Sequence, residues 1–427
     1  MMRALFSAIS GMKNHMSYMD VVGNNIANVN TTAFKSSRVT FQDILGQTVK
    51  GASTPQGGRG GTNPAQIGLG MNLGGIDSLM TQGSLQSTGK LTDFAIQGEG
   101  FFILSDGSRQ FYSRAGAFDI GVDGGLVSPV TGLRVMGWLS DGTNPVDTQA
   151  PIQPIEIPFG TRISAVPTSL MLMAGNLDAG LPLYAAGPPE VGVVSTTVTA
   201  YDSLGNLHTI KVDFQHTASN TWDVVAWFDD DDADDLMNNA VTVTNGTLQF
   251  LPDGTLDTGV PNNGIVQFSL ASLGTGGTDP LVFEFNLEAV SQFAGSSQVS
   301  VSRQDGFPAG ALVSFAVSPT GEIAGIYSNG SNRVIGQLAL ASFVNAGGLQ
   351  RAGQNLWEPT GNSGDPLIGL PNTNGRGAVQ TGTLEASNVD LSQQFTSMIV
   401  AQRGFQASAR VTSAADQMLQ DLVNLIR

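Results

Sequence analysis

Near the start of the chain the apolar positions fall at helical spacing: Leu5, Ile9, Met12, Met16, Met19, Val22 and Ile26. Steps of four and three approximate a heptad. No proline occurs before Pro55, so the pattern predicts an amphipathic helix from Arg3 to about Asn28. At 1.5 Å per residue such a helix is roughly 37 Å long. The other end behaves alike. Residues 385–390 offer helix caps, with Ser387 or Asp390 best placed. The same stepping then selects Leu391, Phe395, Met398, Gln402, Phe405, Ala409, Thr412, Asp416, Leu419, Val423 and Ile426. Polar Gln402, Thr412 and Asp416 interrupt the seam. Val411, Ala415, Met418, Leu422 and Leu425 form a second apolar stripe, which suits a helix with more than one neighbour.

Between the ends the period changes from 3.5 to two. Ile210, Val212 and Phe214 alternate with polar residues, as do Leu281, Phe283, Phe285 and Leu287. This predicts strands with one buried face. Asp106-Gly107, Asp123-Gly124-Gly125, Gly205-Asn206, Asp253-Gly254 and Thr320-Gly321 punctuate them as turns. The expected fold is α+β and mainly β: a discontinuous multidomain chain with paired, coiled-coil-like N- and C-terminal helices and two inserted β domains of sandwich or barrel type. The expected domains are 1–30 with 386–427 (helical assembly), 31–75 (connecting), 76–160 with 300–385 (β) and 161–299 (outer inserted β). Residues 51–70, 141–167 and 174–191 read as linkers. Each terminal helix lacks a core of its own. They are expected to pair, and their leftover apolar faces to seek further copies of the chain.

Composition narrows the function. Only 13 % of the 427 residues are charged, about half the usual share, and 54 are glycine. The net charge of −16 opposes nucleic-acid backbones and anionic membranes. No stretch approaches a membrane span. The absence of cysteine excludes disulfides and thiolate metal sites. The first nine residues resemble a signal peptide faintly, but Lys13, Asn14 and His15 interrupt the apolar core and no small-residue cleavage site follows. Export without a cleaved leader is the expectation.

Candidate chemistry is thin. His15, His208 and His216 show no metal-ligand spacing and are expected to be satisfied or solvent-facing. Asp229, Asp230, Asp231 and Asp232 open an acidic run to Asp235. The run fails the EF-hand pattern, because position six is Asp234 and position twelve Ala240. A solvated loop is favoured over a weak cation cluster. No phosphate loop, GxSxG elbow or cofactor motif appears. Neither catalysis nor a cofactor is expected, and a secreted β-rich enzyme is the remote alternative.

The segment from Gly23 to Lys35 holds Asn24, Asn25, Asn28 and Asn30 at the predicted helix exit, more than an ordinary cap requires. It resembles the NNIANxxTxGFK-like signature of bacterial flagellar rod and hook subunits through Asn24, Asn25, Ile26, Ala27, Asn28, Thr31, Phe34 and Lys35. Ala33 stands where that family has Gly, which predicts a backbone position without positive φ. The likeness continues in residues 91–102 (DLAIxGxGFF-like), 111–118 (YTRxGxF-like) and 382–390 (GxLExSNVD-like). The closing helix adds Met398-Ile399, Gln402-Arg403, Phe405-Gln406-Ala407 and Asp416-Gln417-Met418-Leu419. Between about 160 and 300 only residues 201–206 resemble it. The chain's length points to the hook rather than to the shorter distal-rod subunits, which remain the near alternative.

The resemblance implies a structural subunit that polymerises into the curved tube joining rod to filament, a universal joint transmitting torque. The terminal helices then line the inner layer. Weakly charged β surfaces suit outer contacts that must slide. It further implies rod and hook–filament junction proteins, a capping scaffold and the type III export apparatus as partners, and a location in the extracellular hook. Phe41 and Leu45 match an FxxxΦ export motif, whose plain reading is a short amphipathic turn.

Overall fold

The computed structural model describes residues 2–55, 60–140, 146–160, 162–187, 190–228, 241–270 and 281–425. The acidic run beginning at Asp229 and the side chains of Leu422 and Ile426 lie outside the described residues. The chain divides into two compact units. Unit 1 is Met1–Pro158, Phe315–Ala324 and Arg333–Arg427, and unit 2 is Phe159–Ser314 and Gly325–Asn332.

Unit 1 begins and ends in helices. Helix α1 spans Met2–Ala27 and α2 spans Leu391–Leu425. Of the two predicted caps, Asp390 serves: its Oδ1 accepts the backbone N–H groups of Ser392 (2.8 Å) and Gln393 (3.2 Å), satisfying donors that the first turn leaves orphaned. The helices pair antiparallel, with Gly11 facing Ser408, His15 facing Gly404 and Asn25 facing Gln394.

The strand Ser37–Asp43 pairs antiparallel with Met71–Ser78 and lies against α1. Asn14 Nδ2 donates to the Met71 carbonyl at 2.7 Å, and the Phe41 ring meets the His15 and Tyr18 rings at 6.2 and 5.8 Å. The segment carrying Phe41 is therefore a strand and not a short turn. The 51–70 region is not a bare linker either, since Gln47–Lys50 pairs with Ala65–Ile67 and Ser53 bridges Thr62.

The β part of unit 1 is closed by its own ends. Phe94–Gln97 pairs with Ala378–Thr381, and Leu85–Ser87 with Thr383–Glu385. Between them, Phe101–Ser105 forms a hairpin with Gln110–Ser113 through the Asp106-Gly107 turn. Phe101, Ile103, Tyr112, Met136, Trp138 and Trp357 share one core. Phe94, Phe102 and Phe118 are buried and ring-packed together. The proline-rich stretch after 145 joins this structure, because Ile155 and Ile157 are fully buried and Ile155 N–H bonds the Val135 carbonyl.

Unit 2 stacks two sheets. One runs Thr242–Thr244, Ile265–Leu270, Leu281–Ser291, Leu170–Asn176, Gln298–Gln304, and the other runs Val193–Tyr201, Leu207–Ala218, Thr221–Phe228, Thr247–Gln249. The predicted alternation holds, with Ile210, Val212, Phe214, Leu281, Phe283, Phe285 and Leu287 all in one buried cluster with Trp222 and Phe268. Two sheets sharing one apolar layer make a sandwich.

Candidate functional site

Two features of unit 1 stand out: a polar knot where the helices meet the β part, and the apolar faces of the helices.

The knot is built from the asparagine-rich exit of α1. Asn25 Oδ1 accepts the Ser37 N–H at 2.9 Å, and its Nδ2 donates to the Ser37 carbonyl (2.8 Å) and to Gln394 Oε1 on α2 (3.1 Å). Asn28 Nδ2 caps the Asn24 carbonyl at 2.9 Å while its Oδ1 accepts the Thr31 hydroxyl at 3.1 Å. Asn24 is exposed beside a cleft. The chain then turns at Ala33, which has φ +57° and is buried. The expectation of a position without positive φ is wrong. Ala33 adopts the left-handed conformation because its N–H bonds the Glu385 carbonyl at 2.8 Å and packing holds it there, at the steric cost glycine avoids.

Lys35 follows, fully buried, with Nζ donating to Glu385 Oε1 (2.5 Å) and the Thr81 carbonyl (2.8 Å). Glu385 Oε1 also accepts the Gly83 N–H at 2.8 Å, and Arg114 Nη1 lies 3.6 Å from Glu385 Oε2. Burial pushes the Lys35 ammonium below its ordinary value, while the Glu385 carboxylate pulls it back. Asn388 completes the knot by accepting the Ser36 N–H at 2.7 Å and donating to the Leu79 carbonyl at 2.9 Å. Beside it, the Arg351 guanidinium sits 5.1 Å over Phe34 and 5.2 Å over Trp357, and bonds the Lys35 carbonyl. Sequence reasoning found Asn24, Asn25, Asn28, Thr31, Phe34 and Lys35 but gave no role to Arg114, Glu385, Asn388 or Arg351. The GxLExSNVD-like segment was the available signal for Glu385 and Asn388. The YTRxGxF-like segment 111–118 marked Arg114 in the same way, whereas nothing local marks Arg351.

The helices pack through small residues rather than through the large apolar seam. The buried positions of α1 are Ala8, Gly11, Asn14, Val22 and Asn25, and those of α2 are Ala401 and Ala415. A Cβ on Gly404 would meet the His15 ring at 2.5 Å, and one on Gly11 would meet Ser408 Oγ at 2.8 Å. The larger residues flank that seam. Phe6, Ile9 and Met16 on α1 and Leu391, Phe395, Ile399, Val400, Val411 and Met418 on α2 are each 40 % or more exposed. Leu5, Met12, Met19, Ile26, Met398, Phe405 and Leu419 are half-buried. Val400, Ala407, Val411, Ala414 and Met418 repeat at helical spacing on one flank, and Leu391, Phe395 and Ile399 on the other.

The remaining candidates are placed as follows. Phe41 is part-covered by α1, while Leu45 is 88 % exposed. His216 donates from Nδ1 to the Leu181 carbonyl (2.9 Å) and stacks on Trp222, and His208 Nε2 lies 3.2 Å from Asp202. His15 departs from expectation, because its Nδ1 is buried without a hydrogen-bond partner in the helix seam. Among the described residues, no three or more His, Asp or Glu side chains converge on one point. Among the described residues, no helix is long and apolar enough to cross a membrane.

Family models cover most of the chain. Residues 5–35 match the flagella basal body rod protein family, 95–167 the flagellar hook protein FlgE/F/G D1 domain, 185–307 the flagellar basal body protein FlaE D2 domain, and 380–425 the flagellar basal body rod FlgEFG protein C-terminal family. The flagellar hook protein FlgE of Borreliella burgdorferi is 41 % identical over all of both chains. That of Escherichia coli is 35 % identical, over 99 % of this chain and all of its own. The crystal structure of Helicobacter pylori flagellar hook protein FlgE2 matches the fold with a TM-score of 0.55 at 16 % identity, over 70 % of this chain and all of the other. A helical stem of opposite chain ends, a signature knot at its base, two β units and full-length identity to hook proteins agree: the chain belongs to the flagellar hook protein family of the bacterial flagellum.

Proposed function

We propose that this chain is the structural, non-catalytic subunit of the curved hook tube, polymerising through its paired terminal helices into the joint that passes torque from rod to filament. The carrying observation is the partition of the helix surfaces. Small residues bring α1 and α2 together at Gly11 and Gly404, and Phe6, Ile9 and Met16 on α1 and Leu391, Phe395, Ile399, Val400, Val411 and Met418 on α2 are left exposed on the flanks. Burying one such side chain gains about 1.5–3 kcal/mol, so the stem favours association with further stems. In this reading residues 1–30 with 386–427 carry assembly and the β units carry the remaining contacts between copies.

Rod proteins, hook–filament junction proteins, a capping scaffold and the type III export apparatus are the partners this reading adds, with Phe41 and Leu45 as an export signal. A rod-type role is the second reading. It draws on a basal-body rod protein FlgG of Bacillus subtilis, which is 28 % identical over all of both chains. The identities of 41 % and 40 % to hook proteins favour the hook.

The test compares the purified chain with a Phe395→Ser, Ile399→Ser variant by sedimentation and electron microscopy. The expected result is tubes from the native chain, and monomers of unchanged helix content from the variant. A variant that polymerises as the native chain does would overturn the assignment of the stem.

A further inference from the structure

Charge is divided unequally between the two units. Unit 2 holds 17 of the chain's 35 acidic residues but three of its 19 basic ones, namely Arg162, Lys211 and Arg303. Its formal charge is therefore −14, against −2 for unit 1 with 18 acidic and 16 basic residues. One of the three cations is engaged within the unit, Lys211 Nζ lying 3.6 Å from Asp213 Oδ2. The chain is weakly charged in total, yet this unit is almost entirely of one sign.

We propose that unit 2 is an electrostatic spacer: in the polymer it meets its counterparts on neighbouring copies by repulsion, opposing the attraction of the helical stems. The inference rests on the assembly reading above. Packed helices sit about 8–10 Å apart, whereas a unit of this size has a radius of gyration of roughly 15 Å. Where the stems of neighbouring copies lie side by side in the same orientation, second units this much wider than the stem spacing crowd one another. With so few cations on the unit, cross-copy ion pairs cannot offset the repulsion. Its range is the Debye length, about 30 Å at 0.01 M salt and about 8 Å at 0.15 M. At low salt the whole unit is repelled, and at higher salt only the facing skins are. Contacts between these units are then soft and adjustable, and the strength of assembly is set by ionic strength.

The test uses the full chain and two neutralised variants. One carries Asp→Asn at 229, 230, 231, 232, 234 and 235, and the other Glu190→Gln, Glu284→Gln and Glu288→Gln. The critical concentration for polymerisation and the second virial coefficient of dilute monomer are read between 10 and 150 mM NaCl. The native critical concentration is expected to fall at least about five-fold with salt as screening shortens the repulsion. Repulsion scales with the square of the unit's charge, so the salt response drops to roughly a third in the six-fold variant and roughly 60 % in the three-fold one. A native response that is flat, or variants that keep the full response, would overturn the spacer. Absence of polymer at every salt concentration, with a monomer virial coefficient that still falls with salt, would instead overturn the assembly reading.

Discussion

Lys35 and Glu385 lie 350 positions apart in the chain, yet Lys35 Nζ is 2.5 Å from Glu385 Oε1 and both side chains are fully buried. Removing one member of a buried pair leaves an uncompensated charge, which costs about 3–5 kcal/mol. Lys35→Met is therefore expected to destabilise unit 1 by up to that amount, with Arg114 Nη1 at 3.6 Å remaining as a partner for Glu385 Oε2. The double change Lys35→Met, Glu385→Leu is expected to lose no less, because it takes the carboxylate away from the buried Arg114 guanidinium 3.6 Å from Glu385 Oε2. Urea unfolding, with hydrogen exchange followed in the Phe94–Gln97 strand, reads both. A single variant as stable as the native chain would contradict the pairing.

Two glycines in the helices should respond oppositely to alanine. A Cβ on Gly23 meets nothing within 4 Å, while one on Gly404 meets the His15 ring at 2.5 Å. Gly23→Ala is expected to stabilise α1 by about 0.5–1 kcal/mol through helix propensity. Gly404→Ala is expected to lose that gain and more by forcing the helices apart. Thermal melts followed by helical circular dichroism separate the two, and equal shifts would refute the close approach.

Ala33 offers a contest of small terms. Glycine would relieve a left-handed strain of about 1–2 kcal/mol, but it enlarges the unfolded ensemble by about 0.4–1 kcal/mol and removes a buried methyl worth about 0.8 kcal/mol. Ala33→Gly is expected to be near neutral. Ala33→Val adds a β-branched side chain at positive φ in a buried site and is expected to be strongly destabilising. A chemical denaturation series of the three chains decides the matter, and a tolerated valine would show that the turn is not constrained.

Unit 2 should weaken in acid. Burial alone would raise the Asp305 carboxyl, but donation from Leu170 N–H and the Ser169 hydroxyl and N–H holds it below the ordinary 3.8. Asp202 is likewise held down, against its burial, by Asn206, His208 and Leu204. The folded chain thus protonates these groups less readily than the unfolded one. Their contribution is complete above pH 3.8 and is withdrawn as pH falls through the lower folded values. Asp305→Asn is expected to lower the unit 2 melting temperature at neutral pH, with the difference from the native chain closing in strong acid. Parallel melting curves at all pH values would exclude the mechanism.

The sequence revealed different parts of this structure to different degrees, for physical reasons. Helix existence and strand alternation were legible because apolar periodicity follows local geometry, as in Ile210, Val212 and Phe214. The pairing seam was not. Large apolar residues dominate a heptad reading, whereas Gly11 and Gly404 bring the helices close by lacking side chains. Asn25 was legible as unusual, but its bonds to Ser37 and Gln394 depend on tertiary placement. Arg351 was invisible, since a guanidinium between Phe34 and Trp357 requires residues more than 300 positions apart to meet.

The closure of the β part by Thr383–Glu385 and of the knot by Asn388 also imposes an order in time. The Lys35 ammonium, the Asn25 amide and the Leu85–Ser87 strand all draw partners from residues 383–394. A chain emerging from its N-terminal end waits with a charged lysine and half a stem unsatisfied until those residues appear. A prematurely terminated copy therefore never completes its stem, and its buried lysine never meets its carboxylate.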